Sequence, residues 1–170
     1  MDKAESNVTS NYGKLEALQR KFLSAQKEYQ QTGSEGEKKR LKKSINHLTM
    51  DLAWALLDRG EYENGLILYN SLPRGTNGEM KYNGMARALT EMGHYDKARR
   101  ILKKGLKKFP DSYPLWIGMG ALCSALGDDF EALKCFGIAL RFAPEDNSAG
   151  LYNKAMVLIK LGCCRNGRFL

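Results

Sequence analysis

The feature that most constrains this chain is a repeat with a period of 34 residues in its second half. Four pairs of matching residues lie at this spacing: Tyr82 and Trp116, Gly93 and Gly127, Ala98 and Ala132, and Pro110 and Pro144. In each copy, apolar residues recur at helical spacing, a glycine lies in the middle and a proline at the end, which predicts two helices per copy. A fixed period of this length is typical of stacked helical repeats, in which one unit buries its apolar face against the next.

Two weaker copies flank this pair. The earlier copy, TMDLAWALLDRGEYENGLILYNSL, has Thr49 where the others have an aromatic residue. The later copy opens at Ser148 after one inserted residue, and its second helix is cut short at CCRNGRFL. The predicted repeats therefore cover about 46–78, 79–112, 113–147 and, in part, 148–170, after a separate N-terminal segment 1–45.

This pattern resembles the tetratricopeptide repeat. The resemblance is carried in the stronger copies by Tyr82, Ala86, Gly93, Tyr95, Ala98, Leu102, Gly105 and Pro110, and by Trp116, Gly120, Gly127, Ala132, Phe136, Ala139 and Pro144. It implies an all-α fold, a right-handed superhelical solenoid of antiparallel helix pairs. Left-handed glycines should close the first helices, at Gly60, Gly93, Gly127 and Gly162.

Three glycines lie inside predicted helices, where each costs about 1 kcal/mol relative to alanine. They are Gly118, Gly120 and Gly137. Gly120 falls where a side chain would wedge two helices apart, so Ala132 should pack closely against it and Trp116 should be buried in the same repeat. Gly84 and Gly118 share a register expected to face the concave groove, where a missing side chain would let another backbone approach.

The N-terminal segment is predicted to be helical as well. Leu15, Leu18, Phe22, Ala25 and Tyr29 recur every three or four residues, which indicates an amphipathic helix over about 8–31. A second helix should begin near Ser34 or Glu35 and continue into the first repeat. The apolar stripe of the first helix could cap the repeats, mediate dimerisation or occupy the groove, and the sequence does not separate these alternatives.

The resemblance implies that first helices line the groove and bind a protein or peptide segment with apolar anchors. The groove residues expected from the usual inward offsets are Met50, Trp54, Leu57, Met80, Asn83, Gly84, Arg87, Ile117, Gly118, Ala121, Tyr152, Met156 and Ile159. Trp54 is the predicted leading anchor, because buried tryptophans often dominate interface energetics.

The same comparison disfavours one class of partner. Tetratricopeptide proteins that bind the acidic tails of heat-shock chaperones use a cluster of Lys, Asn and Arg in the groove. The corresponding positions of this sequence do not supply that cluster in either of the two possible alignments of its repeats. The length, the helical extension and the apolar groove are instead similar to the class II chaperones of type III secretion, which hold translocator segments. The incomplete last repeat also predicts self-association through that end.

Cationic residues concentrate in the segment KARRILKKGLKKF, and the chain as a whole carries a net charge of +8. Its apolar residues keep a helical stripe of their own, so the cations are predicted to face outward. The convex basic patch expected here consists of Arg100, Lys103, Lys104, Lys107 and Lys108. It is either a solvated face or a surface for nucleic acid, an acidic protein or an anionic membrane; no aromatic residues alternate with the cations, which weakens the nucleic-acid hypothesis.

Other functional classes find little support in the residues. With His47 and His94 as the only histidines, no metal-ligand spacing occurs, and no phosphate-binding glycine loop or nucleophile with a neighbouring base is present. Two of the four cysteines lie in apolar helices and two, Cys163 and Cys164, are adjacent, which is not a disulfide framework. We therefore expect a cytoplasmic, non-enzymatic protein without a cofactor or a metal.

Overall fold

The computed structural model describes residues 3–76, 78–144 and 148–160, with side chains throughout except at 3–12, 149–150, 156–157 and 159–160. These residues form helices and no strands. The helices are α1 (Lys3–Gln31), α2 (Glu35–Asp58), α3 (Tyr62–Ser71), α4 (Gly78–Glu91), α5 (Tyr95–Lys108), α6 (Tyr113–Ala125), α7 (Asp129–Phe142) and α8 (Ser148–Lys160). The predicted all-α class is thus confirmed. The chain forms two compact units, Met1–Thr76 and Asn77–Leu170.

In the first unit, α2 packs between α1 and α3. The apolar stripe of α1 is used inside this unit, because Leu15 forms a buried cluster with Leu52 and Ala55 of α2, flanked by Leu18 and Phe22. This arrangement agrees with the capping hypothesis, in which α1 covers the first repeat. The helix begins at Lys3, earlier than the predicted residue 8.

Helix α2 begins where its capping residue predicts. The hydroxyl of Ser34 accepts a hydrogen bond from the backbone N–H of Glu37, which satisfies one of the free donors at the helix start. The helix then continues without a break to Asp58, so the predicted boundary between residues 45 and 46 falls inside it.

In the second unit, α6 lies centrally and packs against α4, α5, α7 and α8. The first helices of the repeats pack side by side, α4 against α6 and α6 against α8. The second helices, α5 and α7, pack against them. The core between them contains Ala98, Leu102, Leu115, Leu122, Ala132, Phe136 and Ala139, each almost completely shielded from solvent.

Three of the first helices end in the same hydrogen-bonded turn. Gly60, Gly93 and Gly127 have φ angles of 79°, 75° and 80°. The residue after each glycine donates its backbone N–H to a carbonyl five residues earlier: Glu61 to Leu56, His94 to Leu89 and Asp128 to Cys123, at 2.7–2.9 Å. This is the closure in which a left-handed glycine satisfies the last helical carbonyls. The predicted role of these three glycines is confirmed, while Gly162 lies outside the described residues.

The glycines inside helices differ in their surroundings. A Cβ built on Gly120 would lie 2.5 Å from the Phe136 ring of α7, so these helices approach as closely as predicted, although the nearest atoms belong to Phe136 rather than Ala132. A Cβ on Gly137 would meet nothing within 4 Å. The prediction that Trp116 is buried was wrong. Trp116 lies in the first turn of α6 and is half-buried, and its indole N–H reaches back to donate to the backbone carbonyl of Pro110 at 2.8 Å.

Candidate functional site

The first helices of the second unit present a mixed apolar and polar surface. On α4, Met80 is 38% exposed, and Asn83 and Arg87 are half-buried. On α6, Ile117 is half-buried and Ala121 is exposed. Tyr152 of α8, which occupies the repeat register of Asn83 and Ile117, is 65% exposed. We call these six residues the first-helix face. The side chains of the two remaining predicted members on α8, Met156 and Ile159, lie outside the described residues.

Two glycines predicted to open the groove are instead used inside the unit. Gly84 is buried in α4. A Cβ on Gly118 would lie 2.7 Å from Oδ1 of Asn83 and 3.0 Å from Cδ2 of Leu102. Gly118 therefore permits α6 to pack against α4 and α5, and a leucine there would displace these neighbours rather than block a free surface. The hypothesis that both glycines act on a partner through a missing side chain is corrected accordingly.

Three predicted groove residues lie in the first unit, on α2. Met50 and Leu57 are buried there, Leu57 at 1% exposure. Their side chains pack in the core of their own unit and offer no surface to a partner, in contrast to the prediction. Trp54 is half-buried, and its role as the leading anchor stays a prediction.

Helix α5 presents the cations that the sequence placed on an outward face. All of them are exposed: Lys97, Arg99, Arg100, Lys103, Lys104, Lys107 and Lys108. We call this set the α5 ridge. Within the described part of the chain, no carboxylate lies within 4.0 Å of any member. Arg100 donates from Nε to the backbone carbonyl of Asp96 at 3.4 Å, and the Lys108 ammonium lies 5.7 Å from the centre of the Tyr82 ring.

Residues 82–122, which run from α4 into α6, match the family model described as the tetratricopeptide repeat. This segment is thus similar to a tetratricopeptide repeat. The matched residues run from the first helix of one repeat into the first helix of the next. These bounds agree with the register deduced from the 34-residue period. No curated protein matches the chain.

The comparison with solved structures gives one superposition with a TM-score above 0.5. A MamA fragment from Desulfovibrio magneticus RS-1 superposes with a TM-score of 0.54 at 13% identity, over 88% of this chain and 86% of that one. A MamA RS-1 double mutant gives a TM-score of 0.48 at 12% identity, over 91% and 98% of the two chains. MamA from AMB-1 gives 0.47 at 19% identity, over 86% and 88%. The first of these supports the helical-repeat fold.

Two cysteine thiols, one in α6 and one in α7, lie in surroundings that keep them unreactive. Cys123 of α6 and Cys135 of α7 are buried and hydrogen-bonded to each other. Burial raises the pKa of Cys123, and burial with the nearby Cys123 thiol raises the pKa of Cys135 to about 12. Both thiols are therefore protonated at neutral pH and are poor nucleophiles.

The described residues contain no group of three or more His, Cys, Asp or Glu side chains that could hold a metal ion. Asp129 is buried and accepts a hydrogen bond from the Ser124 hydroxyl at 3.4 Å, beside the Cys123 turn. No helix in the described part of the chain is long and apolar enough to cross a bilayer.

The raised pKa of Cys135 predicts a pH dependence of stability. Below pH 9 the thiol is protonated in the folded and the unfolded chain, so stability is unaffected there. Between pH 9 and about 12 the unfolded chain loses this proton first, which favours unfolding. We expect the unfolding free energy of the parent to fall relative to that of Cys135→Ala as the pH rises through this window. Parallel urea titrations would measure it; a constant difference between the two proteins would contradict the burial of this thiol.

Proposed function

We propose that this chain is a non-catalytic protein-interaction module and that the first-helix face binds a protein segment with apolar anchors. The observation that carries the proposal is the exposure of Met80 and Tyr152 in a unit whose core is otherwise well filled. The tetratricopeptide repeat at 82–122 supports an interaction or scaffold role.

The composition of the first-helix face indicates the chemistry of the partner. Met80 is flexible and polarisable, so it adapts to apolar side chains of different shapes. Tyr152 adds a large ring with a polar tip, which suits a partly wetted interface. Asn83 and Arg87 of α4 are half-buried and would fix the direction of a bound backbone through hydrogen bonds. The expected partner is an extended or helical segment with two or three apolar side chains.

Narrower forms of this proposal follow from the same face. An acidic heat-shock chaperone tail is disfavoured, because Arg87 is the only cation of the six residues that define the face. A chaperone-like role for an apolar translocator segment and a location in the cytoplasm are compatible with it and belong to the proposal.

Peptides selected by display on the immobilised full chain test this function. Affinity for a fluorescently labelled selected peptide would be measured by anisotropy for the parent, Met80→Asp and Ala121→Arg. Both variants place a charge on an exposed position of the first-helix face, so folding is retained. We expect each to raise the Kd about tenfold or more, which is the loss typical of an anchor position.

Ile67→Asp is the matched control. Ile67 of α3 is a similarly exposed apolar residue, 64% accessible, outside the first-helix face. It should leave the Kd within about twofold, because an exposed side chain outside an interface contributes little to it. Selected peptides that bind Met80→Asp and Ala121→Arg as tightly as the parent would refute the proposed face.

A further inference from the structure

The α5 ridge is a continuous cationic strip. Helix α5 has 14 residues and is therefore about 21 Å long. At 100° per residue the seven cations span about half of its circumference, and Ala98, Leu102 and Gly105 are buried on the other half. The strip is thus straight, convex and fixed in place by the packing of its opposite side.

Interactions within the protein stabilise only some of these cations. Lys107 and Lys108 lie in the last turn, where the helix dipole favours cations. Lys108 is also placed over the Tyr82 ring. The others lie three or four residues from one another, as Lys97 does from Arg100 and Arg100 from Lys104. Like charges at these spacings disfavour a helix by about 0.2–0.5 kcal/mol per pair. Asp96, four residues before Arg100, is the one acidic residue of α5 and offsets only part of this repulsion.

We propose that the α5 ridge docks the protein onto the anionic surface of a lipid bilayer. This inference is independent of the proposed peptide-binding face. That face lies on the first helices of the repeats, whereas α5 is a second helix. Clusters of four to eight Lys and Arg on one helix face are attracted to anionic headgroups. A bilayer surface is broad and fluid, so a convex strip can touch it along its whole length without a fixed spacing of partner charges.

The composition of the α5 ridge favours a bilayer over nucleic acid. Five of the seven cations are lysines, which bind as flexible point charges, whereas the forked recognition of bases and phosphates favours arginine.

Co-sedimentation with vesicles tests the proposal. The probe is phosphatidylcholine with about 30 mol% phosphatidylserine, compared with phosphatidylcholine alone. We expect binding to the anionic vesicles only, and loss of binding as salt is raised. Each cation near such a surface contributes about fivefold to partitioning, so changing Lys103, Lys104, Lys107 and Lys108 together to Gln should lower the partition coefficient by about two to three orders of magnitude.

A second charge variant provides the matched control. Changing Lys39, Arg40, Lys42 and Lys43 of α2 to Gln removes the same net charge from another exposed basic run. It should leave vesicle binding within about threefold, since electrostatic attraction from outside the contact is screened within about 10 Å. Equal losses in the two variants would overturn the assignment to α5. A ridge variant that abolishes binding to a short DNA duplex while vesicle binding is absent in the parent would also overturn it, in favour of nucleic acid.

Discussion

Truncating Phe136 to alanine should lower the free energy of unfolding of the second unit by about 3–5 kcal/mol. Phe136 is 2% exposed and belongs to a buried cluster with Cys123 and Ala132. Its ring also lies against the helix surface at Gly120, so the cavity left by truncation would open between α6 and α7. The rigid helices on both sides limit how far this cavity can collapse, which places the cost at the upper end for a core residue.

Phe130→Ala is the matched control for this prediction, since it makes the same substitution on the same helix. Phe130 is largely exposed, so its truncation should change stability by no more than about 0.5 kcal/mol. Thermal and urea unfolding followed by circular dichroism would measure both variants. If the two unfold alike, α7 does not pack in the register described.

Replacing Gly120 with alanine should destabilise the second unit by about 1–3 kcal/mol, although alanine is the better helix former. The added methyl group would lie 2.5–2.9 Å from three atoms of the Phe136 ring. A ring held by a filled core cannot move aside without strain, so overpacking outweighs the gain in helix propensity.

Gly137→Ala makes the same change in the interior of α7, where a Cβ meets nothing within 4 Å. It should raise the unfolding free energy by roughly 0.5–1 kcal/mol, because only the propensity term remains. The two variants therefore shift the melting temperature in opposite directions. Shifts of the same sign would show that the environment of Gly120 is not as tight as described.

Local conformational requirements were predictable from the sequence. Gly93 and Gly127 recur one period apart at the ends of apolar helices, and a left-handed residue is the usual solution at that position. The outward direction of the α5 cations was also predictable, since the apolar stripe of Leu102 and its neighbours leaves one face for them.

Pairings between distant residues were not predictable in the same way. The repeat register places Gly118 on a first helix, but its neighbour Asn83 lies 35 residues away in the chain, and only packing shows that the two meet. Leu57 fits the periodicity of both a core and a groove residue, and its burial decides between them. Phe130 was missed as a surface residue because an exposed phenylalanine looks like a core residue in a sequence pattern.

The most direct test of the proposed interaction face is a methyl NMR titration of the full chain with a selected peptide. The account predicts that the methyl signals of Met80, Ile117 and Ala121 shift as the peptide is added, while those of Leu106 on α5 and Ile67 on α3 stay in place. Shifts confined to Leu106 or Ile67, with Met80, Ile117 and Ala121 unchanged at saturation, would contradict it.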